Sequence, residues 1–259
     1  MLNLLLFYLK QILRKVIPVP NFLVRRTIKK YLKKYPAVLS LDDTVQLILK
    51  GYSIVRFGDG ELNLIFGKGI YFQKFDVNLS LRLKKIIRLG INHENNFAVC
   101  IQRMKYGGKF WRNYWFWNGG EVCKLLNNKL QYGDLGVSRH IDLEGFNKLI
   151  DYWKGKKVLV ITGQNSKLMK EIKLVENLNF KFLLFASTNA FDEYSEILDK
   201  TKKHIRENNT NLVLVSLGPT SNLLCYDLSM QMKIQSLDIG HLLNTVSYKK
   251  FGTVLYDRL

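Results

Sequence analysis

The chain is poor in cysteine. Cys100, Cys123 and Cys225 stand far apart among 259 residues and form no CxxC pair. A disulfide framework and a cysteine-based zinc site are therefore not supported, and the spacing leaves reduced, buried thiols, as expected of a cytosolic protein. The four histidines, His93, His140, His204 and His241, show no HExxH or similar ligand spacing. Neither GxxxxGKS/T nor GxGxxG occurs, which argues against a Walker-type NTPase and a dinucleotide-dependent dehydrogenase. Acids are scarce as well: 21 Asp and Glu face 40 Lys and Arg, a formal charge of +19. Such an excess bears on partners rather than on fold, and nucleic acid, anionic membrane and phosphorylated substrates all suit it.

Long apolar runs are also missing at the N-terminus. The uncharged opening run is nine residues, against the roughly 20 that cross a bilayer. Its positive charges follow the apolar run instead of preceding it, unlike a signal peptide. Leu2, Leu5, Leu6, Leu9, Ile12, Leu13, Val16 and Ile17 recur at helical spacing, interrupted by Lys10, Arg14 and Lys15. Beyond Pro18 and Pro20 a second amphipathic piece carries Arg25, Arg26, Lys29, Lys30, Lys33 and Lys34. Residues 1–36 thus read as a basic amphipathic segment. One reading lays it in the interface of an anionic membrane; the other packs it on the rest of the chain with a solvated basic face.

Residues 37–259 read as one α/β domain. "SLDDTVQLIL" is a helix capped by Ser40 or Asp42, and "YSIVRF" a short strand ending at Gly58. "LSLRLKKIIRLG" is a helix stopped by Gly90, and "NNFAVCI" a strand. "KKVLVITG", "FKFLLFAS", "TNLVLVS" and "KIQSLD" are further strands, with helices expected near Ser166, over "AFDEYSEILDKTKKHIREN" and after "SLGPTSN". β-rich runs separated by helices predict a Rossmann-like, mostly parallel sheet with helices on both faces. In such sheets ligands bind beyond the carboxyl ends of the strands.

Two strand ends carry chemistry. In "SLGPTSN", Gly218 permits a sharp turn, Pro219 suits a first helical turn, and Thr220 and Ser221 bring hydroxyls and N–H groups to a positive helix end. This fits an anion seat, and equally a plain strand-to-helix turn. In "RFGDGE", Asp59 and Glu61 flank Gly60. Read as extended backbone, positions two apart point the same way. Two carboxylates with open remaining positions suit Mg²⁺ or Mn²⁺ on a diphosphate, with Arg56 as a forked donor to the same oxygens. From spacing alone, a solvated turn with an Arg–Asp ion pair stays open.

"RFGDGE", "SR" in "YGDLGVSRHID", "NAF", "SLGPTSNLLCYDL" and "LDIGH" occur in that order. In these motifs the chain resembles the bacterial GT-D-type glycosyltransferases, a family first catalogued as a domain of unknown function and linked to adhesin and surface-glycan glycosylation. The resemblance covers about residues 40–245 and implies a Rossmann-like domain that binds a nucleotide sugar, usually UDP-linked. It implies Asp59 and Glu61 as the metal- and diphosphate-serving Asp-x-Glu motif, with Arg56 and Gly58 completing the loop. Ser138, Arg139, Asn189, Gly218, Pro219, Thr220 and Asp238 match donor-side positions, and His241 lies at the cleft as a candidate base. The implied partners are a nucleotide sugar and a glycan or lipid-linked acceptor, with the cytoplasmic face of a bacterial membrane as location and no nucleic acid. The chain departs from the pattern after "DIGH", where "LLNTVSYKK" replaces an acid-rich D-x-E-Y stretch, and after "VLVITG", where relatives are richer in glycine and arginine. The metal and donor side therefore carry over better than the acceptor side and the base. The alternative is a basic protein that binds nucleic acid or another anionic polymer, with aromatics at 110–117 stacking bases.

Overall fold

The computed structural model describes residues 20–105, 108–166, 178 and 180–243. The opening apolar helix, the helix expected near Ser166 and the stretch after Leu243 fall outside them. In chain order the elements are α1 (Asn21–Leu32), β1 (Ala37–Val38), α2 (Leu41–Leu49), β2 (Ser53–Phe57), α3 (Asp59–Ile65), α4 (Val77–Ile86), β3 (Ile91–Asn92), β4 (Phe97–Ile101), α5 (Lys109–Leu125), β5 (Gln131–Asp134), α6 (Leu143–Trp153), β6 (Val158–Gly163), β7 (Phe180–Phe185), α7 (Tyr194–Asn208), β8 (Leu212–Ser216), α8 (Thr220–Met232) and β9 (Gln235–Asp238).

The described residues divide into two compact units. The larger takes in residues 37–102 and those from 129 onward. Its strands lie in the order β1-β5-β4-β2-β9-β8-β6-β7, all parallel, with β3 antiparallel on β4. β4 is buried throughout, as are most residues of β2 and β8, as befits parallel strands covered on both faces. Ile54, Ala98, Cys100, Val160, Leu214 and Leu237 join Val45 and Ile48 of α2 and Phe146, Leu149 and Trp153 of α6 in one core. On the other face α8 lies on β2, β8 and β9 and against α4, and its Tyr226 meets Phe97 edge-on at 5.4 Å. Each fully buried Leu, Ile, Val or Phe in these layers contributes about 1.5–3 kcal/mol.

Local signals explain the boundaries. Ser40 caps α2, its hydroxyl accepting the Asp43 N–H at 2.9 Å, with Asp42 and Asp43 in the positive first turn. Gly90, at φ +57°, turns the chain from the 3₁₀ turn after α4 into β3.

The order places two reversals of winding. The chain leaves β2 toward β4, while β9, formed last, occupies β2's other side. It leaves β6 toward β7 and β8 toward β9, although β6 and β8 are neighbours. The carboxyl ends of these pairs are where an open α/β sheet binds ligands.

The smaller unit joins the described residues up to Pro36 to Arg103–Asn128. Here the structure differs from the expectation of a single domain over 37–259: α5 belongs with α1. The reason is a close approach at Gly119 and Gly120, where a Cβ would come within 2.9 Å of the Tyr31 ring. Trp111 stacks on Trp115 at 5.4 Å, and Trp115 meets Tyr35 edge-on at 5.6 Å. Tyr114 and Trp115 are buried, so this part of the 110–117 cluster is helix-packing core and not a base-stacking surface; Phe110 stays exposed. Cys100 and Cys225 are buried free thiols and Cys123 is half-buried. Among the described residues, no helix is long and apolar enough to cross a membrane.

Candidate active site

The structure converges several expected residues on the carboxyl ends of β2 and β9. Arg56, next to last in β2, reaches across to the end of β9. Its Nε donates to the Asp238 carbonyl oxygen at 2.8 Å and its Nη2 to Asp238 Oδ1 at 2.9 Å. Its Nη1 donates to the hydroxyl of buried Ser138, in the 3₁₀ turn Leu135–Ser138 that follows β5. Three elements distant in sequence thus meet on one guanidinium. Gly240 follows at φ +43°, and a Cβ there would sit 1.9 Å from Arg56 Nη2, so only glycine fits.

Burial and charge set the ionisation. Burial works to lower the Arg56 pKa, but the charge and hydrogen bond of Asp238 outweigh it and hold the guanidinium above its ordinary value. Burial pushes the Asp238 carboxyl above the usual carboxylate range, against the pull of Arg56. Arg56 is therefore committed to a structural pair on two of its three nitrogens and to Ser138 on the third. The forked phosphate donor expected from the sequence becomes a tie between strand ends, because a carboxylate 182 residues away is already seated on it.

Asn222 of α8 holds the same position from the backbone side. Its Oδ1 accepts the Arg56 N–H at 3.2 Å and its Nδ2 donates to the Arg56 carbonyl at 2.9 Å. Its position right after "GPTS" in the sequence gave no sign of this pairing.

At Asp59 the chain becomes helical, which corrects the extended reading of Asp59-Gly60-Glu61. The two acids occupy the first turn of α3, and two residues of helix turn side chains about 200° apart. Glu61 folds back over the helix end, where its Oε2 accepts the Gly58 N–H at 2.9 Å. Burial, then the nearby Asp238 charge, raise the Glu61 pKa to about 7, even though Arg56 and two backbone N–H groups lower it. A divalent cation beside a carboxyl in that state would offset the cost of its burial. Mg²⁺ characteristically takes one or two protein carboxylates and leaves its other positions to water and phosphate oxygens. Glu61, at the strand end, suits one such carboxylate, while Asp59 lies about 200° round the same helical turn. Among the described residues no group of three or more His, Cys, Asp or Glu surrounds a common point.

A second group lies on the neighbouring strand ends. Gly218 turns at φ +56° with the Phe72 ring lying on it; a Cβ would be 2.6 Å from Phe72 Cε2. Of the two N–H groups expected free at the turn into α8, that of Ser221 is bonded within the turn. The Ser221 N–H bonds the Gly218 carbonyl at 3.0 Å, the Asn222 N–H bonds the Pro219 carbonyl at 3.3 Å, and the Ser221 hydroxyl accepts the Leu217 N–H at 2.7 Å. Thr220 is different: its Oγ1 is buried and has no hydrogen-bond partner among the described residues. Asn189, in the left-handed region at φ 51°, accepts the Lys74 N–H on Oδ1 at 2.8 Å and gives its own N–H to the Phe72 carbonyl. It is a tether for the segment between α3 and α4, with its Oδ1 and backbone N–H engaged by that loop. Arg139 and His241 are exposed, His241 next to Gly240.

The two groups are laced together. The Thr162 hydroxyl donates to the Ser216 carbonyl at 3.3 Å, and the Ser216 hydroxyl to the Gly240 carbonyl at 3.2 Å. These bonds join the ends of β6 and β8 to the loop after β9.

Two outcomes follow from this geometry. Arg56→Met leaves Asp238 buried without a counter-charge and lowers stability by about 3–5 kcal/mol in urea unfolding. Arg56→Met with Asp238→Leu recovers part of that loss, whereas a double variant as unstable as the sum of its singles means the two do not act as a pair. In metal-free protein, Glu61 is protonated more readily folded than unfolded, so its contribution is full below about pH 4.5 and is lost as pH rises through about 7. Glu61→Gln flattens the fall in melting temperature over that window, worth on the order of 2 kcal/mol; an unchanged slope contradicts the assignment.

Comparison with known proteins agrees with this arrangement. The glycosyltransferase GT-D fold family matches residues 54–254. A probable glycosyl transferase Gly of Streptococcus gordonii is 32% identical over 235 residues, 83% of this chain and 33% of that protein. The glycosyltransferase GlyD of Streptococcus pneumoniae serotype 4 is 30% identical over 83% of this chain and 28% of its own length. The chain thus spans about a third of the length of these curated relatives. A solved structure described as the highly conserved domain of unknown function 1792, with a distinct glycosyltransferase fold, superimposes with a TM-score of 0.77 at 26% identity, covering 91% of this chain and 88% of its own. Another, described as a new glycosyltransferase from Streptococcus sanguinis, gives 0.73 at 29% identity over 86% of this chain and 88% of its own. With most of its sheet and both strand-end groups inside the matched region, this chain belongs to the GT-D-fold glycosyltransferase family.

Proposed function

We propose that the chain moves a hexose from a nucleoside diphosphate sugar, UDP-linked, to a hydroxyl of a glycan, glycoprotein or lipid-linked glycan. The observation that carries this reading is the pair of acids opening α3 at the end of central strand β2, one of them, Glu61, raised to about 7 by burial and by the neighbouring Asp238 charge. Asp59 and Glu61 would hold Mn²⁺ or Mg²⁺. A divalent ion bound there supplies the positive charge that stabilises a departing nucleoside diphosphate. Arg56 and Asn222 fix the strand end from which α3 departs, which sets where the two carboxylates stand. The buried Thr220 hydroxyl, lacking a partner among the described residues, is the polar group left for a donor oxygen at the start of α8. Exposed His241, which follows Gly240 in the loop after β9, is the candidate base for the acceptor hydroxyl, since its ordinary pKa lies near working pH.

UDP with Mn²⁺ at a hundredfold excess over Kd should stabilise the protein by about 2.7 kcal/mol, roughly 5–10 °C in melting temperature. Asp59→Ala with Glu61→Ala should abolish the metal-dependent part of that shift and the turnover of UDP-sugar while circular dichroism stays native. Full turnover in the doubly substituted protein would rule out the metal assignment.

The smaller unit supports a second part of the proposal, attachment to an anionic membrane surface. On α1, exposed Phe22, Leu23 and Leu32 flank Arg25, Arg26, Lys29 and Lys30, which are also solvent-facing. Apolar and cationic side chains exposed together suit insertion among anionic headgroups. In co-sedimentation with vesicles rich in phosphatidylglycerol, removal of residues 1–35 should abolish binding at about 0.15 M salt. Undiminished binding by the shortened chain would show that the surface lies elsewhere.

A further inference from the structure

The segment between α3 and α4 has no part in the metal or donor reading, yet it exposes three aromatic rings at the strand ends. Tyr71 is 97% exposed, Phe72 42% and Phe75 43%. Large exposed rings forfeit burial and cluster where a surface binds something.

This segment is fastened at several points. Ile70 and Gln73 pair across a tight turn with bonds of 2.9 and 3.2 Å, which puts Tyr71 and Phe72 at its tip. Gln73 is buried, and its Oε1 accepts the Phe191 N–H. Asn189 grips the Phe72 carbonyl and the Lys74 N–H. The Ile70 side chain lies over Gly60 of α3, between the two acids, while the Phe72 ring lies on Gly218 at the turn into α8. The segment therefore spans from the acidic helix end to the Gly218 turn, and its tip faces solvent.

We propose that this turn is an acceptor platform, with Tyr71 and Phe75 stacking on the apolar face of a pyranose ring in the acceptor glycan. The proposal rests on the glycosyltransferase reading of the same strand ends and deepens it on the acceptor side. Pyranose rings carry axial C–H groups on their faces, and these are attracted to the negative face of an aromatic ring. An all-equatorial, β-linked glucan unit presents the flattest such faces and is the chemistry assigned here. The donor diphosphate requires charge and hydrogen-bond donors, which lie on α3 and α8 rather than on this tip. An acceptor carried on a larger glycan stays partly in solvent, in keeping with the exposure of Tyr71. Continuity with the acidic helix end, through Ile70 on Gly60, favours a sugar over a lipid surface.

The test uses the full chain and cellobiose as probe, read by saturation-transfer NMR, with UDP plus Mn²⁺ thermal shifts recorded in parallel. Saturation transfer to the C–H protons of cellobiose is expected in the unsubstituted protein. Tyr71→Ala and Phe75→Ala should weaken cellobiose binding about tenfold or more each, leave the UDP response intact, and leave circular dichroism native. Tyr71→Phe should retain the signal, because the stacking face is kept. Undiminished cellobiose signal in both alanine variants overturns the proposal, and so does the absence of signal in the parent protein. A UDP response that falls along with cellobiose binding also overturns it, by placing the rings on the donor side. Loss of vesicle binding in these variants with cellobiose unaffected overturns it in favour of a membrane contact. A parent protein that binds cellobiose through Tyr71 but ignores UDP would support the platform while removing the donor reading, so the two fail separately.

Discussion

Arg56 carries a full positive charge into the middle of the sheet, and everything at the carboxyl ends of the strands is arranged to keep it there. Its three nitrogens engage the backbone and carboxylate of Asp238 and the hydroxyl of Ser138. Asn222 closes on its backbone from above. Desolvating such a pair costs several kcal/mol per ion, so it is weak evidence for stability as such. Its value is positional: the end of β2, the end of β9 and the turn after β5 cannot slide past one another while the guanidinium is held. The acids of α3 begin three residues beyond Arg56.

The consequence for chemistry is a division of labour between buried and half-buried charge. The Arg56–Asp238 pair is nearly sealed and internally balanced. Glu61 stands beside it, loses hydration on burial, sees Asp238 as a repelling neighbour and receives too little from Arg56 and the backbone N–H groups to stay ionised easily. A fixed framework with an undercompensated carboxyl next to it is an arrangement in which an added cation gains the most. The strand ends thus set a balanced ion pair beside a carboxyl that burial favours in its protonated form.

Much of this was readable in the residues. The β-rich runs gave the parallel sheet because strands buried on both faces show no alternation, and the order of motifs pointed to the family. The strand-end positions of Arg56, Gly218 and Asp238 followed from the same runs. What was not readable was who meets whom. The pairing of Arg56 with Asp238 depends on β9 lying beside β2, and nothing local in "YSIVRF" or "KIQSLD" encodes that neighbour. The helix at Asp59 had a signal, two acids ahead of "LNLI" in the positive first turn, but Gly60 between them suggested an extended bend. Asn189 matched a nucleotide-side motif, yet its amide holds a loop, because an Asn in the left-handed region readily bonds nearby backbone. Likewise, "NGG" within α5 was silent until Tyr31 was seen against it.

The position of β9 has a kinetic side. It is the last described strand, yet it occupies the centre of the sheet between β2 and β8. Until it inserts, β2 and β8 each present an open edge, and a growing chain holds two half-sheets bridged by α8, which lies on both. Contacts across 182 residues form late, since loop closure must precede them. A ribosome-bound chain stopped short of residue 238 would carry both acids of α3 and the Asn222 clasp on the Arg56 backbone, but no carboxylate to seat the Arg56 guanidinium.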